Sequence, residues 1–265
     1  MSAAIEFRKL SVAAPQGRLL LDSISLGLEE GTTTAVLGRS GSGKTTLLRS
    51  VNRMVLPSSG EVLLHGGNVR DANLISLRRN MGYVIQETGL FPHFTVERNV
   101  GLVLEAEGRS RQERVRRSHD LLQAVGLAPA SFALRFPHQL SGGQRQRVGL
   151  ARALAAEPTI LLMDEPFGAL DPLTRSEMQG MVRNLLGRLK KTVLLVTHDL
   201  DEALYLGHRI VLLDEGKLVA NLASDEFMRS RQPQVEAYVR AVHRQDREAA
   251  NQGRVSSCPV QEERR

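Results

Sequence analysis

The chain carries one glycine-rich segment whose spacing suits a phosphate. Gly38-Arg39-Ser40-Gly41-Ser42-Gly43-Lys44-Thr45 follows the pattern of a glycine, four residues, then Gly-Lys-Thr. Glycines let successive backbone N–H groups turn inward and approach phosphate oxygens with no Cβ in the way. A helix opening behind the loop adds the positive end of its dipole. In this pattern Lys44 reaches the β- and γ-phosphates of ATP and the Thr45 hydroxyl ligates Mg2+. Gly38 through Thr46 are therefore the candidate nucleotide-binding residues. A merely flexible glycine loop is the bland alternative. A β-rich run, Thr32 to Leu37, enters the loop and a helical run, Thr45 to Val51, leaves it. That order is what a phosphate cradle requires.

Two further segments carry chemistry. Thr159-Ile160-Leu161-Leu162-Met163-Asp164-Glu165 reads as a buried strand ending in adjacent carboxylates. Neighbours on a strand point to opposite faces, but at its end the chain can splay both toward one site. Asp164 is then the Mg2+ ligand, directly or through water, and Glu165 the general base on the attacking water. A solvated acidic turn before Pro166 is the alternative. The other segment, Leu140-Ser141-Gly142-Gly143-Gln144, opens a helix. Ser141 is its N-cap candidate, and the two glycines expose N–H groups, giving a second anion site. Chemistry alone does not explain why one chain needs two.

The elements that must position these residues form an α/β pattern. Residues 4–10 and 18–27 alternate loosely around Pro15-Gln16-Gly17 and predict an antiparallel pair. Further strands are expected at Val62–Leu64, Tyr83–Ile85, Thr159–Met163, Val193–Thr197 and Ile210–Leu213. Helical stretches between several of them predict a mostly parallel sheet. Residues 87–139 hold no convincing strand; Gln112 to Val125 places Val115, Leu121, Leu122 and Val125 on one side, with Gly126 as a stop. The fold class expected is a P-loop NTPase α/β core, with an N-terminal antiparallel β subdomain and a helical subdomain inserted at about 87–155. The ATPase domain is expected over 1–245, and 246–265, with Arg247, Arg254, Arg264 and Arg265, as a disordered basic tail.

Composition sets limits. The 265 residues are 42% hydrophobic and 4% aromatic with no Trp, so aliphatic side chains must fill the core. No apolar run approaches the roughly 20 residues needed to cross a bilayer, and Met1 to Leu10 lacks the pattern of a signal peptide. The single Cys258 suits a reducing compartment. The net charge of +6 fits anionic partners or a solvated surface equally.

With Gly38–Thr45, Leu140–Gln144 and Thr159–Glu165 in this order, the chain resembles the ATPase domain of ABC transporters over about residues 4–225. The resemblance implies a head-to-tail homodimer, with ATP between Gly38–Thr45 of one subunit and Ser141–Gln144 of the other. It also implies roles for three residues whose isolated readings are bland. Gln86 is similar to the glutamine that contacts Mg2+ and the water and senses the membrane partner. His198 is similar to the histidine on the γ-phosphate. Asp171 is similar to the aspartate that couples the two sites, although alone it reads as a helix N-cap before Pro172. One departure stands out: the family places an aromatic on adenine near the position of Ala14, and none lies between Phe7 and Tyr83.

Asn52-Arg53-Met54, Gly82 to Gln86, Gly89-Leu90-Phe91-Pro92-His93 and Met163 to Leu173 are similar to ATPase subunits of glycine betaine, choline and carnitine importers. Membership implies permease subunits as partners, a solute-binding protein acting through them, no nucleic acid, and a peripheral location on the cytoplasmic face of the inner membrane. Phe91-Pro92-His93 is the stretch expected beside the permease. Many such subunits carry a C-terminal pair of ionic-strength sensors; with the sequence ending at Arg265, any sensor is expected elsewhere. Another solute, such as an amino acid or a lipid, and a non-transport ABC ATPase on nucleic acid are the alternatives.

Overall fold

Strand patterning divides the chain between two sheets. In the computed structural model, which describes residues 3–86, 88–242 and 244, β1 (Ala3–Ala13) and β2 (Leu19–Glu29) pair antiparallel with inward and outward residues alternating. The turn between them closes where Ala14 N–H donates to Arg18 O at 2.8 Å. β3 (Thr33–Leu37) follows, with all five residues buried, then α1 (Lys44–Val51). β4 (Ser59–Leu64) and β5 (Gly67–Asn68) return to the first sheet, whose order is β2-β1-β4-β5. Val62–Leu64, expected in the parallel core, therefore belongs to the antiparallel sheet: Phe7 sits opposite Val62 in the antiparallel register.

The chain continues through α2 (Leu74–Arg79), β6 (Met81–Val84), α3 (Val96–Ala106), α4 (Arg111–Ala124), α5 (Pro129–Phe132), a 3-10 turn at Pro137–Gln139 and α6 (Gly142–Leu154). β7 (Ile160–Asp164), α7 (Pro172–Leu189), β8 (Thr192–Val196), α8 (Leu200–Leu206), β9 (Arg209–Asp214), β10 (Lys217–Ala223) and α9 (Ser224–Phe227) complete the order, before a helix over 233–242. The second sheet runs β10-β9-β3-β8-β7-β6. β9, β3, β8, β7 and β6 are parallel, and β10 closes the edge antiparallel. Near-continuous apolar runs in β3, β7 and β8 are what a sheet covered on both faces requires. Alternation splits them: Ala35, Leu161, Met163, Val193 and Leu195 enter one core, while Val36, Ile160, Leu162, Leu194 and Val196 enter the other.

Helices α3, α4 and α6 pack together as the inserted unit, and α6 also lies on β6. The Ser110–Glu113 capping box starts α4 one residue earlier than expected, and Gly126, at φ 74, follows its end. The expected tail at 246–265 lies outside the described residues.

Candidate functional site

β3, β8, β7 and β6 are neighbours in that order and parallel. The segments leaving their carboxyl ends carry Gly38, His198, Glu165 and Gln86, so residues distant in sequence meet at one sheet edge. Open α/β sheets bind ligands at that edge.

The glycine loop is built by close approach. A Cβ on Gly38 (φ 153) would lie 2.2 Å from Leu213 O, and one on Gly43 (φ 98) 2.6 Å from Leu20 O. Only glycine fits either place. Ser42 is buried, and its Oγ has no hydrogen-bond partner among the described residues. Arg39, Ser40 and Gly41 are exposed around it. Lys44 is 6% exposed, and its Nζ donates to Gly38 O at 2.8 Å and Arg39 O at 2.9 Å. Burial pushes the Lys44 pKa down, while Glu165 and Asp164 pull it up.

Thr45 and Asp164 meet directly: Thr45 Oγ1 donates to Asp164 Oδ1 at 2.9 Å. The other Asp164 oxygen accepts from the Tyr83 hydroxyl at 3.4 Å and has Arg49 Nη2 at 3.6 Å. Nothing in the local spacing of Arg49 or Tyr83 marks either of them as a site residue. Asp164 is the last residue of β7, and Glu165 turns into the left-handed region at φ 45. That conformation is uncommon off glycine and costs of order 1 kcal/mol or more. It is fixed where Glu165 N–H donates to Val196 O at 2.9 Å. The turn breaks the strand's alternation and brings both carboxylates to the same edge. Glu165 Oε2 lies 3.2 Å from His198 Nδ1. The missing Cβ of Gly168 would be 3.6 Å from Gln86 Nε2 and 3.7 Å from Glu165 Oε2, so Gln86 flanks the same carboxylate. A hydroxyl and a carboxylate side by side are hard oxygen donors of the kind Mg2+ takes together with phosphate and water.

The second anion element stands apart. Ser141 Oγ accepts from Gln144 N at 3.3 Å and Gln144 Oε1 accepts from Ser141 N at 3.0 Å, a closed capping box. Among the described residues no hydrogen bond joins Ser141–Gln144 to residues 38–46. Ser141 and Gly142 are exposed, whereas Gly143 is buried, with Thr174 Cγ2 where its Cβ would be. Asp171 N-caps α7, accepting from Thr174 N at 3.1 Å, and hydrogen bonding from the Thr174 side chain first, then from its backbone, holds the carboxyl below the usual range.

A family model described as "ABC transporter" matches residues 21–168. The chain belongs to the ABC transporter family. It is 46% identical over 208 residues to an osmoprotectant import ATP-binding protein of Salmonella typhimurium, covering 78% of this chain and 54% of that one. It is 43% identical over 226 residues to a glycine betaine/carnitine/choline transport ATP-binding protein of Bacillus subtilis, covering 85% and 59%. The chain thus spans about half the length of the curated relatives it matches. A solved dimeric bacterial ABC transporter cassette is 34% identical at TM-score 0.75, covering 83% of this chain and 98% of that one. A cassette in a post-hydrolysis state bound to ADP and Pi is 33% identical at TM-score 0.74, with the same coverage.

Within this ABC domain three polar residues, Gln146 and Asn99 buried and Arg152 half-buried, tie the site segments together, none of them legible from spacing. Gln146 donates to Ile85 O at 3.4 Å and to Pro166 O, joining α6 to the segments after β6 and β7. Arg152 donates to Thr88 O at 2.7 Å and Gly89 O at 2.8 Å, holding the chain just past Gln86. Asn99, fully buried, accepts from Phe91 N at 2.8 Å and donates to Phe91 O, Phe94 O and Thr95 O, so Phe91-Pro92-His93 is an ordered turn with Phe91 41% exposed.

Glu202, 4% exposed, is a fourth. Burial first, then the charge of Asp199, pushes its pKa from 4.5 to about 8. Between these values the folded chain holds a proton that the unfolded chain releases, so stability falls as pH rises across that window. Glu202→Gln removes this titration. Its Tm relative to the parent should be unchanged near pH 4.5 and higher by about 3 °C or more at pH 8, the shift of roughly 1 kcal/mol in a domain this size. A pH-independent difference in thermal melts would contradict the buried acid.

Proposed function

We propose that this ABC domain binds ATP with Mg2+ and hydrolyses it to energise import of a compatible solute of the glycine betaine, choline or carnitine type through membrane permease subunits. The observation that carries the hydrolytic reading is the edge constellation: Thr45 bonded to Asp164, and Glu165 bonded to His198 with Gln86 alongside. Lys44 and the loop N–H groups bind the β- and γ-phosphates. Glu165 takes the proton of the attacking water, with Gln86 orienting that water and His198 on the γ-phosphate. Thr45, Asp164 and Gln86 would hold Mg2+, which supplies positive charge to the phosphate oxygens. Exposed Ser141 and Gly142 at the start of α6 would complete the site of a second copy, and Asp171 would lie across the same junction.

The solute class is supported by the similarity to the osmoprotectant import ATP-binding protein of Salmonella typhimurium and the glycine betaine/carnitine/choline transport ATP-binding protein of Bacillus subtilis. Among the described residues no helix is long and apolar enough to cross a membrane; the proposed place is the cytoplasmic face of the inner membrane, bound to the permease near Phe91–His93. The solute-binding protein acts only through that permease. Labelled-betaine uptake in a strain lacking this gene, restored by the parent and not by Glu165→Gln, would support the reading. Co-purification with nucleic acid instead of a permease would sink it.

The missing aromatic has a measurable consequence. The family's adenine-stacking position falls near Ala14, in the turn Ala14–Arg18 that joins β1 to β2. A stacked aromatic is worth about 1–3 kcal/mol. ATP and GTP should therefore be hydrolysed with similar kcat/KM, and Ala14→Tyr should tighten ATP binding about fivefold or more. A strong ATP preference in the parent would refute this.

A further inference from the structure

The helix α7 and the segment after β8 are joined by a contact that the proposed mechanism does not use. Arg175, in the first turns of α7, donates from Nη2 to Leu170 O at 3.1 Å and places Nη1 3.6 Å from Asp199 Oδ2. Asp199 directly follows His198. It N-caps α8, accepting from Glu202 N at 3.0 Å, and its own N–H donates to Thr197 Oγ1 at 3.0 Å. At the other end Leu170 directly precedes Asp171, and its Cδ2 lies 3.9 Å from where a Cβ of Gly142 would be. One guanidinium thus links the turn beside Gly142 and Asp171 to the backbone that carries His198.

A capped helix needs only Asp199; the bond to Leu170 adds nothing to that cap. Glu202 Oε1 and Arg175 Nε are both buried without a hydrogen-bond partner among the described residues. Native interiors pair nearly all such atoms. Two such atoms, one on the arginine and one on the acid whose N–H caps onto Asp199, are not explained by the helix cap.

We propose that Arg175 and Asp199 form a strut that makes the Leu170–Asp171 turn and His198 move together. They are positioning residues for hydrolysis. This rests on the roles proposed above for His198, Asp171 and Ser141. In a head-to-tail pair Gly142 and Asp171 face the partner's nucleotide while His198 faces the chain's own, so the strut carries the state of one ATP to the other.

The test uses the full chain, with Arg175→Met, Asp199→Asn and the double variant, read by kcat, KM, the Hill coefficient for ATP and the Kd of a fluorescent ATP analogue. Asparagine keeps the α8 cap and removes only the charge facing Arg175, so Asp199→Asn serves if Arg175→Met does not fold. Each single variant should lower kcat about tenfold through misplacement of His198, with Kd within about threefold and the Hill coefficient falling toward one. The double should be no slower than the worse single, because both cut the same link. Arg175→Lys should recover part of the rate. Additive losses, a wild-type kcat, or a loss confined to Kd would overturn the strut. His198→Ala and Glu165→Gln run beside them separate the readings: if those are inactive while Arg175→Met and Asp199→Asn match the parent, only the strut fails.

Discussion

Glu165→Gln should bind ATP as tightly as the parent and hydrolyse it about a hundredfold or more slowly, since general-base catalysis contributes some 10²–10⁴-fold. The substitution is nearly isosteric. The backbone at φ 45, the bond from Glu165 N–H to Val196 O at 2.9 Å and the flanking Gly168 stay as they are. What changes is the oxygen 3.2 Å from His198 Nδ1, which becomes part of a neutral amide with no basic lone pair to receive the water's proton. Binding should survive because the phosphates are met by Lys44 and the loop, not by Glu165. Removing a negative charge from beside Lys44 should, if anything, favour an anion there. ATP should then accumulate in the closed pair of subunits, seen as a dimer peak in gel filtration that the parent shows only transiently. Turnover within about tenfold of the parent would assign the proton to another group, and His198 would be the first to examine.

How much of this site was legible from the amino-acid order follows from the range of the interactions. Gly38–Thr45 declares itself because its chemistry is local: the turn, the helix start and the donors lie within one short segment. The capping pair Ser141 and Gln144 is local for the same reason, and so is the N-cap at Asp171. Glu165 beside Asp164 was readable as a pair, but not the left-handed turn that lets both serve one edge. That turn depends on Val196 in a neighbouring strand. The sheet that Val62–Leu64 joins is not legible in a short apolar strand, which says nothing about its partner; the register with β1 decides it. Arg49, Tyr83, Gln146, Arg152, Arg175 and Glu202 act across contacts between segments far apart in the chain. An arginine on a helix is usually a solvated one, so their types alone raise no suspicion.

Lys44→Ala should fail earlier in the cycle, at binding. Lys44 is 6% exposed and its ammonium rests on Gly38 O and Arg39 O, so its position is set by the loop itself. Burial disfavours the charge, and the carboxylates of Glu165 and Asp164 oppose that cost. A buried cation placed so is poised for the most charged part of the nucleotide. A hydrogen bond to a charged group contributes about 1.5–3 kcal/mol; with two phosphates engaged, the loss should reach about 3 kcal/mol, or roughly a hundredfold in Kd. The melt distinguishes this from misfolding. Without nucleotide the variant should unfold within a few degrees of the parent, because it loses a desolvated charge along with two bonds to backbone carbonyls. With Mg2+ and ATP at about 100 times the parent's Kd, the parent should gain about 2.7 kcal/mol, a rise of several degrees, and the variant far less. Lys44→Arg should not rescue it, since a planar guanidinium needs room that the carbonyls of Gly38 and Arg39 already occupy. A parent-like thermal shift in Lys44→Ala would move the work of holding the phosphates onto the loop N–H groups alone.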